Sequence, residues 1–168
     1  MHQPHELLRR LAEAGVDFVV VGGYAAVIHG SAYVTNDLDL CTELSPGNLD
    51  RIRSALADLR PVHRQTHRRL SFLEVPPPGQ AVQNLYLETQ DGILDLLTEV
   101  MGVGDFARLR SRAKGIELFG LRLAVISLED LIAAKEAVGR EKDLLTAKEL
   151  RAIAAKIPRA VRGDASSD

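Results

Sequence analysis

The sequence predicts an α/β (α+β) fold, in which a short mixed sheet is flanked by helices and followed by a C-terminal helical segment. Up to residue 126, strand-sized apolar runs alternate with amphipathic helical stretches, and from Ser127 the pattern is helical. The 168 residues are 46% hydrophobic and 26% charged, as in ordinary globular domains. We therefore expect a core over 1–126, a helical segment over 127–157 packed on it, and a mobile tail over 158–168.

The first third of the chain predicts three helices and two strands. Leucines at helical spacing between charges predict a helix over 4–14, which a glycine ends. A β-branched run predicts a buried strand over 16–21, and a short apolar stretch after two glycines predicts a helix over 24–29. A second strand is expected over 36–42. Apolar residues on one helical face then predict a helix over 48–59.

The rest of the chain begins with a basic connector over 60–69 and a proline-rich break. Two strands are expected over 82–88 and 92–98, because Asp91-Gly92 between them is a hairpin signal. A capping arrangement at Ser127 and Asp130 predicts the start of the helical segment. The remaining predicted elements are a helix over 103–112, strands over 116–119 and 121–126, a helix from Ser127 to about Val138, and a helix over about 141–156.

Charge and cysteine content narrow the class of protein. The net charge is −2 and the isoelectric point about 6.2, which argues against a constitutive nonspecific nucleic-acid binder because such proteins need excess Lys and Arg. Cys41 is the single cysteine, so no intrachain disulfide can form. No apolar stretch approaches the length of a membrane span, and the start of the chain lacks signal-peptide features. We expect a soluble, cytoplasmic protein without a membrane partner.

Gly22 and Gly23 connect a predicted strand directly to a predicted helix. Glycine lets a backbone approach a phosphate closely, and the first amides of a helix favour an anion. The pair is therefore a candidate phosphate site. A tight strand-to-helix turn without a ligand explains two glycines about equally well.

Asp37 and Asp39 are two residues apart on a predicted strand, so their carboxylates share one face. Such a pair repels itself unless a cation or a basic group lies nearby, and magnesium prefers hard oxygen ligands. Asp95 is a third candidate, because it interrupts an otherwise apolar strand where an unpaired carboxylate is costly to bury. Either a basic partner neutralises Asp95, or it joins the pair at a metal site. Solvated aspartates at a strand end are the alternative for Asp37 and Asp39.

Two further groups of residues have less specific patterns. The basic connector over 60–69 could contact an RNA backbone, or it could be a solvated loop before a strand. His29 is interpreted as a structural histidine at a helix end, and Cys41 as a small buried apolar residue.

The order of these elements resembles the polymerase-β-type nucleotidyltransferase superfamily, and within it the small toxin-type, AbiEii-like group. Gly22-Gly23, then His29-Gly30, then Thr35-Asn36-Asp37-Leu38-Asp39, and the later Asp95 carry the resemblance. Tyr33 stands where the family often has arginine. The resemblance implies a nucleotidyltransferase core over 1–126, with Gly22, Gly23 and Thr35 at the nucleotide, and with Asp37, Asp39 and Asp95 as catalytic, metal-binding carboxylates.

The resemblance continues around the junction of the last two predicted helices. Relatives carry a lysine on the first helix and Arg-x-Lys-Asp-Leu at the start of the next, which Lys135, Arg140, Lys142 and Asp143 match. Thr146 stands where relatives often have an aspartate. The resemblance thus adds these three cations and Asp143 to the nucleotide site. A solvated charged face is the alternative reading of the same residues.

The implied activity is transfer of a nucleoside monophosphate from an NTP to a hydroxyl acceptor. The implied cofactor is Mg²⁺ (or Mn²⁺), and two metals can deprotonate an acceptor and stabilise the leaving pyrophosphate. By resemblance the acceptor is a tRNA end or a protein, and the role that of a toxin whose partner is an antitoxin protein. Two alternatives stay open: a catalytically degenerate nucleotide-binding module and a small-molecule, antibiotic-type adenylyltransferase.

Overall fold

A computed structural model describes residues 3–158 and shows one mixed sheet flanked by helices. The predicted fold class is confirmed. The predicted tail, apart from Pro158, lies outside the described residues. The helices are α1 (Pro4–Glu13), α2 (Gly22–Ile28), α3 (Pro46–Leu56), α4 (Phe106–Arg112), α5 (Leu128–Val138) and α6 (Glu141–Lys156), and a 3₁₀ turn covers Ala57–Leu59.

Among the nine strands within residues 3–158, seven form the main sheet, in the order β3-β4-β5-β2-β1-β9-β8. β2 is parallel to β5 and β1 is parallel to β9, whereas the other neighbours in this sheet are antiparallel. A small separate hairpin joins β6 to β7. The strands are β1 (Phe18–Val21), β2 (Asp37–Thr42), β3 (Val62–His63), β4 (Asn84–Thr89), β5 (Gly92–Leu97), β6 (Glu99–Val100), β7 (Gly104–Asp105), β8 (Lys114–Leu118) and β9 (Leu121–Val125).

The central strands form the core because they are apolar where they face the packed helices. Leu38 and Leu40 on β2 and Leu94 and Leu96 on β5 are fully buried. Removing such side chains from water contributes roughly 1.5–3 kcal/mol each. These alternate positions fix the orientation of both strands, so the residues between them point to the opposite face of the sheet.

The C-terminal helices begin as the sequence predicts. The Ser127 hydroxyl accepts a hydrogen bond from the Asp130 backbone N–H at 3.1 Å and caps α5. Gly139 ends α5 with a left-handed backbone (φ 72°), and α6 starts two residues later. Leu131 of α5 and Leu150 of α6 are buried in the same apolar core as the sheet. Within the described residues, no helix has the length and apolar character needed to cross a membrane.

Three short elements differ from the prediction. The connector over 60–69 contains the edge strand β3, and the helix predicted over 103–112 begins only at Phe106, after the β6–β7 hairpin. The helix predicted from residue 48 begins at Pro46, because Ser45 caps it and proline suits a first helical turn. Strands of two residues have no periodicity, so β3, β6 and β7 leave no sequence signal.

Candidate active site

The three aspartates predicted from the sequence lie on one face of the sheet. Asp37 and Asp39 point away from the buried leucines of β2, and Asp95 does the same on β5. Because β2 and β5 are parallel neighbours, Asp39 and Asp95 are directly paired in the strand register. The sheet therefore brings together two carboxylates that are far apart in the sequence.

These aspartates open onto a cavity of about 260 Å³ between the sheet and the C-terminal helices. The cavity contains nine of the ten residues predicted at the site, and Gly22 is the one outside its lining. Tyr33 and Thr146, the two departures from the family pattern, also line it. Its lining consists of Gly23, Tyr33, Thr35, Asp37, Asp39, Asp95, Lys135, Arg140, Lys142, Asp143 and Thr146.

Gly22 lies directly behind Asp39 and leaves room for its carboxylate. A Cβ atom at position 22 would lie 2.3 Å from Asp39 Oδ2 and 3.0 Å from Asp39 Cβ. The backbone of Gly22 is also left-handed, with φ of 67°, which L side chains rarely adopt. Gly23 has room against Thr35, at 3.4 Å from its side chain. Glycine at position 22 is thus required by the aspartate itself, whether or not a phosphate binds.

Asp37 and Asp39 have the character of cation ligands. Among the hydrogen bonds between residues 3–158, none reaches either carboxylate group. Burial, together with the negative charges of Asp95 and Asp37, raises the pKa of Asp39 to about 6, while the charges of Lys135 and Arg64 oppose the shift. Two hard oxygen donors with uncompensated negative charge fit a divalent cation such as Mg²⁺.

Asp95 has a basic partner that sequence reasoning did not identify. The guanidinium of Arg64 donates from Nε to Asp95 Oδ1 at 3.2 Å and from its terminal nitrogen to Oδ2. Burial raises the pKa of Asp95, and the hydrogen bond and charge of Arg64 oppose that rise. The structure therefore shows the first reading of Asp95, a carboxylate neutralised by a basic partner, and it places Asp95 beside Asp39. Within residues 3–158, no group of three His, Cys, Asp or Glu side chains is arranged to hold a metal.

The opposite wall of the cavity carries the predicted cations, organised by Asp143. Its side chain is only 2% exposed and accepts a hydrogen bond from Arg140 Nε at 2.6 Å, with Lys135 Nζ 3.6 Å from its other oxygen. Burial raises the pKa of Asp143, but the hydrogen bond from Arg140 and the charges of Lys135 and Arg140 outweigh it and leave the pKa lowered. Lys142 is exposed on the same wall.

The loop between α2 and β2, which carries Tyr33, is held against α6. The Ser31 hydroxyl and the Ala32 backbone N–H both donate to the Glu149 carboxylate, the latter at 3.0 Å. These bonds hold the pKa of Glu149 below its usual range. The side chain of Tyr33 therefore stays at the mouth of the cavity, 45% exposed.

His29 and Cys41 have the structural roles predicted for them. His29 Nε2 lies 2.7 Å from the Ile126 carbonyl oxygen, which joins the end of α2 to the end of β9. Cys41 is fully buried, and burial raises the pKa of its thiol to about 12. Neither residue lines the cavity.

The comparisons with known proteins bear on the fold. Neither a protein-family model nor a curated protein matches the chain. A crystal structure of a candidate nucleotidyltransferase from Thermotoga maritima (TM1012) is 16% identical, with a TM-score of 0.50, and the match covers 94% of this chain and 97% of that one. The solution structure of the antibiotic-resistance factor ANT(2'')-Ia is 14% identical, with a TM-score of 0.56 and coverage of 94% and 83%. This chain therefore has the fold of nucleotidyltransferases.

Proposed function

We propose that the protein is a Mg²⁺-dependent nucleotidyltransferase, which moves a nucleoside monophosphate from an NTP to a hydroxyl acceptor. The observation that carries the proposal is the arrangement of the cavity. One wall presents Asp37, Asp39 and Asp95 on neighbouring strands, and the other presents Lys135 and two further cations. A triphosphate with a bound cation complements such a cavity, because each wall meets a charge of the opposite sign.

Each part of the cavity has a role in this reaction. Asp37 and Asp39 would hold Mg²⁺ (or Mn²⁺), which offsets the triphosphate charge when bound. Gly23 and Thr35 would position the phosphates. The cations Lys135, Arg140 and Lys142 would stabilise the charge that develops on the leaving pyrophosphate, and Asp143 would position the first two.

Asp95 would act on the acceptor side of the site. The acceptor oxygen attacks the α-phosphorus, the bond from that phosphorus to the oxygen bridging the β-phosphorus breaks, and pyrophosphate leaves. The acceptor's proton passes to the Asp95 carboxylate, which Arg64 keeps oriented. A groove of about 480 Å³ begins beside Asp95 and is lined by Asn84, Tyr86 and Thr98, among other residues. Tyr86 connects the groove to the cavity, because it is paired with Asp95 in the register of β4 and β5.

The resemblance to AbiEii-like proteins supports a macromolecular acceptor for this reaction. On that basis the acceptor is a tRNA end or a protein hydroxyl, and the protein is a toxin that an antitoxin protein neutralises. The exposed Arg68 and Arg69 of the connector provide local positive charge for an RNA. We propose that the protein acts in the cytoplasm, where its single cysteine stays reduced.

A small-molecule acceptor is the second candidate, and two observations favour it. The fold matches ANT(2'')-Ia, which is described as an antibiotic-resistance factor. Among the described residues, no Lys or Arg lines the groove beside Asp95, and Glu99 gives the groove a negative charge. Such a groove fits a neutral or cationic hydroxyl compound better than an RNA backbone. A degenerate nucleotide-binding module is the third reading, since Tyr33 and Thr146 line the cavity.

An acceptor panel tests these proposals. The protein is incubated with Mg²⁺ and each α-labelled NTP, and with tRNA, a protein mixture or an aminoglycoside. We expect label on one acceptor class, loss of labelling in Asp37→Ala, and no loss in Asp50→Ala, which removes an exposed carboxylate from α3. Nucleotide binding without transfer to any acceptor would instead establish the degenerate module.

A further inference from the structure

The ion pair between Arg64 and Asp95 has a feature that ordinary surface pairs lack. Arg64 engages both oxygens of one carboxylate, and the two side chains are only 25% and 14% exposed. A guanidinium that meets a carboxylate with two parallel hydrogen bonds is held in a fixed geometry. Asp95 lines the cavity, and Arg64, outside the lining, holds its carboxylate in place.

The strands place Arg64 next to the aspartates in one row across the sheet. Asp39 is paired with Asp95, and Asp95 with Tyr86, in the strand register. Arg64 continues the row, because its backbone N–H donates to the Tyr86 carbonyl oxygen at 3.0 Å. Its guanidinium carbon also lies 5.6 Å from the centre of the Tyr86 ring, so the aromatic face supports the cation.

We propose, on the basis of the proposed function, that Arg64 acts as an internal cation that holds Asp95 away from the metal in the nucleotide-free protein. Asp37 and Asp39 receive no hydrogen bond from the described residues and are free to bind Mg²⁺, whereas Asp95 is already neutralised. In the nucleotide-free protein, Asp37 and Asp39 thus bind the metal, and the third carboxylate, Asp95, stays paired with Arg64. Asp95 remains available to the acceptor, and Arg64 is its positioning residue.

This role of Arg64 can be tested by titrating the protein with Mn²⁺ in the absence of nucleotide. The electron paramagnetic resonance signal of the free ion reports how much Mn²⁺ is bound, so no transfer reaction is needed. In Arg64→Gln the Asp95 carboxylate is released, and we expect Mn²⁺ to bind about tenfold more tightly, because a third carboxylate adds negative charge and oxygen ligands to the site. Adding Asp95→Asn to that variant should abolish the gain. Asp95→Asn alone should leave Mn²⁺ affinity within about twofold of the parent protein.

Arg69→Gln is the matched control, because it removes the same charge from the same connector. Arg69 pairs with the half-buried Glu88 of β4, and neither residue lines the cavity. The change in net charge of the protein is the same in both variants, whereas the charge that acts on Asp39 is lost only in Arg64→Gln. Arg64→Lys retains the charge but cannot match both oxygens, so we expect an intermediate gain from it. Circular dichroism and thermal unfolding verify that each variant is folded.

The outcomes separate the inference from the function on which it rests. If Arg64→Gln binds Mn²⁺ no more tightly than Arg69→Gln, or if Asp95→Asn alone weakens binding as much as Asp37→Asn does, the inference is overturned. If Asp37→Asn leaves Mn²⁺ binding unchanged, the proposed metal pair is wrong instead. A gain in Arg64→Gln that depends on Asp95 supports the inference even where the transfer assay finds no acceptor.

Discussion

At the scale of single residues, the site is built around negative charge that the fold does not compensate. Asp39 lies beside two other carboxylates, and Gly22 makes room for it at the cost of a left-handed backbone. Repulsive charge of this kind is concentrated at functional sites, because surrounding structure must stabilise it. The close fit of Gly22 against Asp39 and the charge of Asp39 lead to two separate predictions.

Replacing Gly22 with alanine should impair transfer more than it impairs folding. The new Cβ would displace the Asp39 carboxylate, which lies 2.3 Å from that position. Misplacement of a reacting group by about 1 Å costs roughly 100-fold in rate, and we expect a loss of that size in kcat. Gly15→Ala is the control, because Gly15 has a similar φ of 79° with nothing within 4 Å. The left-handed backbone should cost each variant about 1 kcal/mol of stability, the contact with Asp39 should add to the loss in Gly22→Ala, and only Gly22→Ala should lose activity. Equal activities would contradict the role of Gly22.

Replacing Asp39 with asparagine should stabilise the metal-free protein at high pH. The folded-state pKa of about 6 lies above the ordinary 3.8, so this group's favourable contribution is complete below about pH 4 and is lost as pH rises through 6. At pH 8 Asp39→Asn should therefore raise the free energy of unfolding by up to about 3 kcal/mol. The gain should shrink steadily towards pH 4. Urea unfolding with a chelator at pH 8, 6 and 4 measures this. A pH-independent difference would refute the electrostatic explanation.

At the scale of elements, the junction of α5 and α6 organises the positive wall of the cavity. Asp143 in the first turn of α6 is buried and pairs with cations from the end of α5 and from the junction. The sequence indicates this cluster through its motif, and the structure gives its geometry. The role of Arg64 in the connector has no such signal in the sequence. Arg64 and Asp95 are far apart in the chain, and only the register of β3, β4 and β5 brings them together.

Removing the charge of Asp143 should affect both stability and nucleotide affinity. Asp143→Asn leaves Lys135 without its charged partner, and we expect a loss of about 2 kcal/mol at pH 7 and a rise of about tenfold in the KM for NTP. Because the pKa of Asp143 is lowered, its stabilisation is present above the ordinary pKa and is lost as pH falls through the folded one, so the two proteins should converge in acid. Glu136→Gln is the control, since it breaks an exposed pair with Arg151 between the same helices and should cost less than about 1 kcal/mol. An unchanged KM in Asp143→Asn would contradict the proposed positioning role.

At the scale of the whole molecule, most of the fold was predictable because its helices and longer strands have regular apolar patterns. The predicted candidates for the site also converge on one cavity, since alternation along β2 and β5 determines which face Asp37, Asp39 and Asp95 share. What could not be predicted depends on contacts between distant residues. The register that places Asp39 beside Asp95, the fit of Gly22 against Asp39, and the Arg64 partner all arise only once the strands pair.

The position of the transferred label tests the central claim most directly. A nucleotidyltransferase transfers the α-phosphate with its nucleoside and releases the β- and γ-phosphates together as pyrophosphate. With an acceptor from the panel, we predict that α-labelled NTP labels the acceptor, and that γ-labelled NTP yields labelled pyrophosphate and no labelled acceptor. Asp37→Ala should abolish both the labelling of the acceptor and the release of pyrophosphate. Transfer of the γ-label to the acceptor, or full activity in Asp37→Ala, would contradict the account.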